Sequence, residues 1–410
     1  MKWLLTFLLF LAASPVFARR IDAGAGKPVA SLRAALERAA AGDTIYLHPG
    51  TYREGNIVIR KPISVFGVGG PILDGEGKYE QLTLSGNAIR IRGLRFRRTG
   101  YSSMNDNAAI GVIDARNVLI EENVIENGYF AIHCANTHMG VIRKNVVLGN
   151  ARTEQTSGNG IHLWKCSNML VEKNQVSGHR DGIYFEFVTH SVIRDNSSRG
   201  NIRYGLHFMF SNNDTYLDND FGLNGAGVAV MYSHHVLMQG NRFQQNWGPS
   251  AYGLLLKEIS DAEILKNHFA DNTAAILMES TNRIQVWGNV FRSNGWALRI
   301  SASCNENAVH HNNFFANTFD VATNGSLMLN RFYCNYWDKY DGYDRNRDGY
   351  GDVPYHPVSL YSMVIEQNPQ AVILMRSFMV TLLDKAEKAV PSLTPEQMAD
   401  DRPLLKSLPL

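Results

Sequence analysis

The stretch "KNQVSGHRDGIYFEFVTHSVIRDN" (residues 173–196) opens and closes on the same pattern, a charged residue followed by asparagine. Asn174 and Asn196 stand 22 residues apart, and short alternating segments such as "GIYFEF" and "SVIRD" lie between them. The same context recurs at Asn123, Asn145, Asn219, Asn241, Asn267, Asn289, Asn312 and Asn335. From Asn123 onward the spacings are 22, 29, 22, 23, 22, 26, 22, 23 and 23. The two long intervals contain "RTEQTSG" and "WGPSA", polar or Gly/Pro insertions that read as loops bulging from one turn. A unit this small cannot bury its own apolar face, so it must stack on its neighbours. Short strands with Gly and Asn corners at this period predict an all-β chain, a right-handed parallel β-helix of about 10–12 turns. Neighbouring turns would lie about 4.8 Å apart, the ordinary strand spacing. The recurrent asparagines are assigned to an internal ladder, each amide bonding the turns above and below, and are given no chemistry.

Outward from the repeat, "SLRAALERAAA" (residues 31–41) has the pattern of an amphipathic helix with Ser31 as N-cap. Such a helix would cover the open end of the solenoid, where strand edges are otherwise unpaired. "GDTIYLHPGTY" then starts the first turn, and this opening resembles the pectate-lyase-like β-helix superfamily. The repeat domain is placed at residues 19–357. Past Asn335 the pattern stops, "VPYHPVSLYSMVIEQNPQ" reads as an irregular linker, and a helix is expected from about Gln370 to Val390. Residues 358–410 form this linker-and-helix extension. The helix is either a second cap or a docking element, with Arg376, Phe378 and Met379 as contact residues.

The N-terminus reads as a secretory leader, residues 1–18. Lys2 supplies positive charge, "WLLTFLLFLAA" an apolar run too short for a bilayer, and "VFA" a small-residue cleavage site. Export from a Gram-negative cell would place the chain in the periplasm. The chain has a formal net charge of +2, with 45% hydrophobic and 19% charged residues. That balance suits a large globular core and gives no case for nucleic-acid binding. Cys134, Cys166, Cys304 and Cys334 form no dense framework and no CxxC. They read mainly as small buried hydrophobes, with a Cys304–Cys334 bridge left open.

Aligning the turns on their asparagines sorts the residues of the longest strand by face, since side chains alternate. Ile132, Ile161, Ile183, Leu206, Val228 and Leu254 point inward. One outward column reads His133, His162, Tyr184, His207, Ala229. A second, two residues on, reads Ala135, Trp164, Glu186, Met209, Met231, Lys257, Glu279. His234 and His235 follow just beyond Met231. A plain solvated face would carry Lys, Thr, Ser, Asp and Asn. This one concentrates imidazoles, thioethers and aromatic rings. Imidazole with thioether is a ligand set for copper, thioether favouring Cu(I), so His133, His162, His207, Met209 and Met231 are candidate ligands. The alternative is an apolar docking surface, in which Trp164, Tyr184 and Glu186 would meet a partner. A one-residue slip would turn the columns inward.

"YDGYDRNRDGYGDVPY" places Asp344, Asn346 and Asp348 before Gly349, the start of a calcium loop, with Asp352 at the ninth position. The twelfth position is Tyr355 and not Glu, so the stretch is either a calcium loop or an Asp/Asn/Gly turn.

The runs "RDGIYFEFVT", "GPSAYGLLLKEISD" and "NTFDVATNG" are not required by repeat physics. With "GNGIHLW", "RYGLHFMF", "GAGVAVMYS" and "RSFMVTLLDKAE" they resemble the NosD family, periplasmic β-helix proteins of nitrous oxide reductase maturation. The resemblance extends over nearly the whole chain after the leader. It implies work with an ABC transporter (a permease and an ATPase) at the membrane, and with a copper chaperone. It further implies assistance in building the copper–sulfide cluster of nitrous oxide reductase, with copper bound transiently. It supplies no catalytic motif. The rival is a secreted carbohydrate-active β-helix enzyme, a lyase or epimerase. Such chemistry needs clustered carboxylates in a groove. The nearest group, His179, Asp181 and Glu186, places no second acid beside Glu186 in its column. A non-enzymatic assembly factor is therefore expected.

Overall fold

The computed structural model describes residues 18–102, 104–325, 329–374, 377–389 and 398–410. The expected leader therefore lies outside the described residues except for Ala18, and Arg376 lies outside them too.

The chain winds into a right-handed parallel β-helix. A complete turn gives one strand to each of three long sheets, which among the described residues hold fourteen, twelve and thirteen strands. The turn count of about fourteen exceeds the expected 10–12. The surplus lies before Asn123, where strands such as Thr44–Leu47, Ser64–Gly67 and Arg90–Arg92 stack without an asparagine to mark them.

The turn that begins at Asp181 shows how sequence makes the shape. Asp181–Glu186 joins the twelve-stranded sheet, Val192–Arg194 the fourteen-stranded one and Ser197–Arg199 the thirteen-stranded one. Between them the chain corners on single residues in the left-handed region, Phe187, His190 and Asp195 at φ 54–55° and Gly200 at 67°. A non-glycine residue there costs about 1 kcal/mol, which stacking must offset. Inside, Ile183, Phe185, Ile193 and Ser198 are fully buried. Further along, Phe243, Phe269, Phe291 and Phe314 stack ring on ring at 4.6, 5.0 and 4.7 Å.

The asparagine ladder forms as expected. Asn174 Nδ2 donates to Asn196 Oδ1 at 2.9 Å and to the Ile142 carbonyl at 3.0 Å, while its backbone N–H donates to the same Oδ1. The pattern runs from Asn123 to Asn335. Each net bond contributes about 1 kcal/mol, and each buried donor left unpaired would cost about 1–3 kcal/mol. A second ladder, Asn201–Asn224–Asn246–Asn272–Asn294–Asn317, repeats the arrangement and was not anticipated.

Both ends differ from expectation in part. Helix α1 covers Leu32–Arg38, with the Ser31 hydroxyl accepting from the Ala34 N–H and with Leu32 and Ala35 buried. The first turn starts earlier than "GDTIYLHPGTY": strand Arg20–Ala23 pairs in parallel with Thr44–Leu47. At the other end the presumed linker contains helix α2, Leu360–Gln367, capped by Ser359. Its Tyr361 and Ile365 are buried, a 4-residue spacing that flanking prolines obscured. The helix expected from Gln370 to Val390 is instead a 3-10 segment, Pro369–Leu374, followed by α3, Phe378–Ala389. Residues 398–410 then return to the solenoid, bridging Phe332 through Asp400 and Tyr336 through Leu404. Asp400 is fully buried and accepts from the N–H groups of Cys334 and Asn335, from Asn335 Nδ2 and from the Trp337 indole. The open Cys304–Cys334 pairing is not made; all four cysteines are free, and the Cys304 thiol faces the Met278 carbonyl.

Candidate functional site

The outward columns fall on the twelve-stranded sheet in the register read from the asparagines. His133, His162, Tyr184, His207 and Ala229 are successive cross-turn partners. So are Ala135, Trp164, Glu186, Met209, Met231, Lys257 and Glu279. Inward neighbours from Ile132 to Leu254 are buried in the core.

Outward here does not mean exposed. His162 and His207 retain only 8% and 7% exposure, because a third outward column stands beside them. Phe130, Asp181, Tyr204, Ala226, Tyr252 and Trp296 occupy the residue just before the corner Gly or Ala in their turns, and Phe319, the cross-turn partner of Trp296, continues the column ahead of Asp320. That position was the available signal, and it went unread. Phe130 stacks on His162 at 5.6 Å, and Tyr204 lies 4.8 Å from His207.

The five candidate copper ligands divide into separate groups. His133 and His162 have ring centroids 4.8 Å apart. Among the described residues they form, with Asp106, the group of three whose ligand atoms all lie within 4.8 Å of one another. Asp106 sits on the excursion before strand Ala108–Ile113, outside the repeat. Tyr184 separates His207 from this pair, 4.6 Å from His162 and 4.8 Å from His207. His207 instead joins Asp181 and Arg203, its Nδ1 3.6 Å from Asp181 Oδ2 and 3.5 Å from Arg203 Nη2. Arg203 grips Asp181 through both Nε and Nη2. Burial would push the Asp181 carboxyl up, but Arg203 and then His207 hold it below its usual range. Met209 and Met231 are register neighbours at the strand end, and the Tyr184 hydroxyl lies 3.7 Å from Met209 Sδ. Met231 faces a cavity of about 430 Å³ lined also by Tyr204, Tyr252, Leu255, Trp296 and Arg299.

Burial lowers the His133 imidazole and, together with His133 and Arg180, holds His162 well below its usual value. Both are therefore neutral at pH 7, the form that coordinates metals.

The docking candidates are also located. Trp164 is exposed with the Lys165 ammonium 4.3 Å above its ring, whereas Tyr184 is packed between two imidazoles and 3.4 Å from Glu186 Oε2. Next to Glu186, Met209 and Met231, the corner residues Phe187, Phe210 and Tyr232 form an exposed stack, 5.2 and 4.9 Å between centroids. Three aromatic rings held in left-handed corners were not singled out from the sequence. On α3, Phe378 and Met379 are 81% and 54% exposed.

The 344–352 loop is closed by its own hydrogen bonds. Asp344 accepts from the Arg347, Asp348 and Gly349 N–H groups, Asn346 from Asp348 and Asp352 from Arg345. Asp348 accepts from Tyr350 and lies 3.3 Å from Arg402 Nη2. Its three carboxylates do not converge as Asp106, His133 and His162 do.

Among the described residues no helix is long and apolar enough to cross a membrane. The A-module of mannuronan C-5 epimerase AlgE6 from Azotobacter vinelandii superposes with a TM-score of 0.61 at 18% identity. It matches 75% of this chain and 94% of its own, a likeness of fold alone. The probable ABC transporter binding protein NosD of Pseudomonas aeruginosa is 30% identical over 373 residues, 86% of either chain. Its namesake in Stutzerimonas stutzeri is 25% identical over 385 residues, 89% of this chain and 87% of its own. The family model described as periplasmic copper-binding protein (NosD) matches residues 148–342. The chain belongs to the NosD family.

Proposed function

We propose that this chain is a periplasmic, non-enzymatic accessory factor of nitrous oxide reductase maturation. It docks on an ABC transporter, permease and ATPase, and is held at the membrane through it. Its outward face meets a copper chaperone and the reductase during assembly of the copper–sulfide cluster, and copper passes over that face transiently. Family membership supports the setting. The observation that carries the copper reading is the in-register meeting of Met209 and Met231 beside the imidazole column. Two adjacent thioethers suit Cu(I), a soft ion that leaves such ligands readily.

Against an enzyme, the Asp181 carboxylate, buried on this face, is paired with Arg203 and held ionised, so it is not free to exchange a proton. The test is an anaerobic Cu(I) competition titration against a calibrated chelator. Met209→Leu with Met231→Leu keeps the packing and removes both sulfurs, so at least tenfold weaker Cu(I) binding is expected with an unchanged melting temperature. Equal binding by variant and parent would make the face a docking surface only.

A further inference from the structure

The sequence presents one His/Met face, but the structure divides it. Tyr184 stands between His162 and His207, and the two thioethers lie on the far side of that ring. On the near side Asp106, His133 and His162 gather, a set of nitrogen and oxygen ligands. We propose that these three residues hold a divalent transition ion of the Zn²⁺ or Cu²⁺ class, at a site separate from the thioethers and independent of the copper-transfer reading.

Several observations converge on this corner. His162 is more than nine-tenths buried, and neither of its ring nitrogens has a hydrogen-bond partner among the described residues. A buried imidazole with both nitrogens idle is costly, since each polar group taken from water without a partner costs about 1–3 kcal/mol. A metal bond satisfies one of them. Phe130 lies against both imidazoles, at 5.7 Å from His133 and 5.6 Å from His162, and walls the site from water on that side.

The donor set selects the ion. Two imidazoles and a carboxylate suit zinc and copper(II), whereas Cu(I) prefers sulfur. In a tetrahedral site with bonds of about 2.0–2.1 Å, ligand atoms stand roughly 3.3 Å apart. The three ligand atoms, now within 4.8 Å of one another, would therefore draw together to close the site. Three protein ligands leave a fourth position open, as in zinc sites that accept an external ligand. The geometry also gives the ion a mechanical role. His133 and His162 are on adjacent sheet strands, while Asp106 belongs to the excursion that packs Tyr101 on Tyr129 at 5.0 Å. An ion here ties that excursion to the sheet.

The experiment uses the purified protein stripped with chelator and titrated with Zn²⁺ by calorimetry and with Cu²⁺ by electron paramagnetic resonance. One ion per chain is expected, with nitrogen hyperfine structure in the Cu²⁺ spectrum. Asp106→Asn is expected to weaken Zn²⁺ binding at least tenfold. His133→Gln, half-buried and less of a folding hazard than a change at His162, is expected to do the same and to remove one nitrogen from the spectrum. Zn²⁺ should also slow proteolysis in the 98–107 excursion of the parent but not of Asp106→Asn. Met209→Leu with Met231→Leu should leave Zn²⁺ binding intact, which keeps this site's failure distinct from failure of the thioether reading. Binding of Cu²⁺ without Zn²⁺ would uphold the site and assign it to copper. Absence of both, or binding unchanged in Asp106→Asn and His133→Gln, would overturn it.

Discussion

Asp214 shows how much one side chain can carry in a stacked fold. Its Oδ1 accepts from the Ser191 N–H, in the place where Ser191 itself serves Met169 one turn earlier. Its Oδ2 has no partner among the described residues, and burial pushes the carboxyl up to about 8. A native state that holds this proton while the unfolded chain releases it near 3.9 is most stable at low pH. Its stability then declines as pH rises toward 8. His179 acts in the opposite sense. Burial drives it down to about 4, so stability falls as pH drops from about 6.5 toward 4, where only the unfolded chain binds the proton. The two slopes oppose one another below about 6.5, leaving Asp214 alone above it. Asp214→Asn keeps the acceptor and is expected to gain about 2 kcal/mol at pH 8, with little gain at pH 4. Urea midpoints at the two pH values check this. At this scale the sequence was legible wherever a residue sat inside the repeat. Met209, Glu186 and Trp164 were placed because a period of two leaves no freedom once the register is known. Asp106 was not, because it lies in an excursion with no period to locate it, and its proximity to His133 is created only by folding.

Among the elements, the two ends have different jobs. α2 is fixed to the last turns: Arg299 makes a bidentate pair with Glu366 at 2.9 and 2.8 Å, and Tyr361 packs on Phe319. α3 presents Phe378 and Met379 outward. Phe378→Asp with Met379→Asp is expected to abolish co-purification with the transporter permease while leaving the β-sheet circular dichroism unchanged; retained association would remove α3 from the docking surface. Truncation near Pro369 is a poor substitute, because it also removes Asp400. Asp400→Ala strips the acceptor from several buried donors at once. A loss of about 3 kcal/mol or more is expected, with limited proteolysis starting in the last turns and not at α1. These helical pieces were the least legible elements. Helix α2 is short, sits among prolines, and owes its stability to packing on the sheet more than to its own propensity.

For the whole molecule, each turn contacts only its neighbours, so stability is close to a sum of turn and interface terms. Deleting residues 220–241 removes one complete turn and leaves Asn219 facing Asn267. The shortened protein is expected to fold with the same β-sheet signal per residue, whereas deleting residues 220–230 should not fold, because it breaks the register of all three sheets. Circular dichroism and gel filtration distinguish the outcomes. Architecture was legible from Asn123 onward because asparagine has a fixed place in each turn; before it, apolar stacking alone defines the turns, and the count fell short. The ladder has a further property. Each Nδ2 donates forward to the next Oδ1, so the amide dipoles all point the same way, and aligned hydrogen bonds polarise one another. The row therefore ends, at Asn335, with donors and a partial positive charge, much as a helix N-terminus does. A carboxylate is the fitting terminator there, and Asp400 supplies it. The solenoid can thus change length by whole turns, provided the new last turn of this ladder still meets the Asp400 carboxylate.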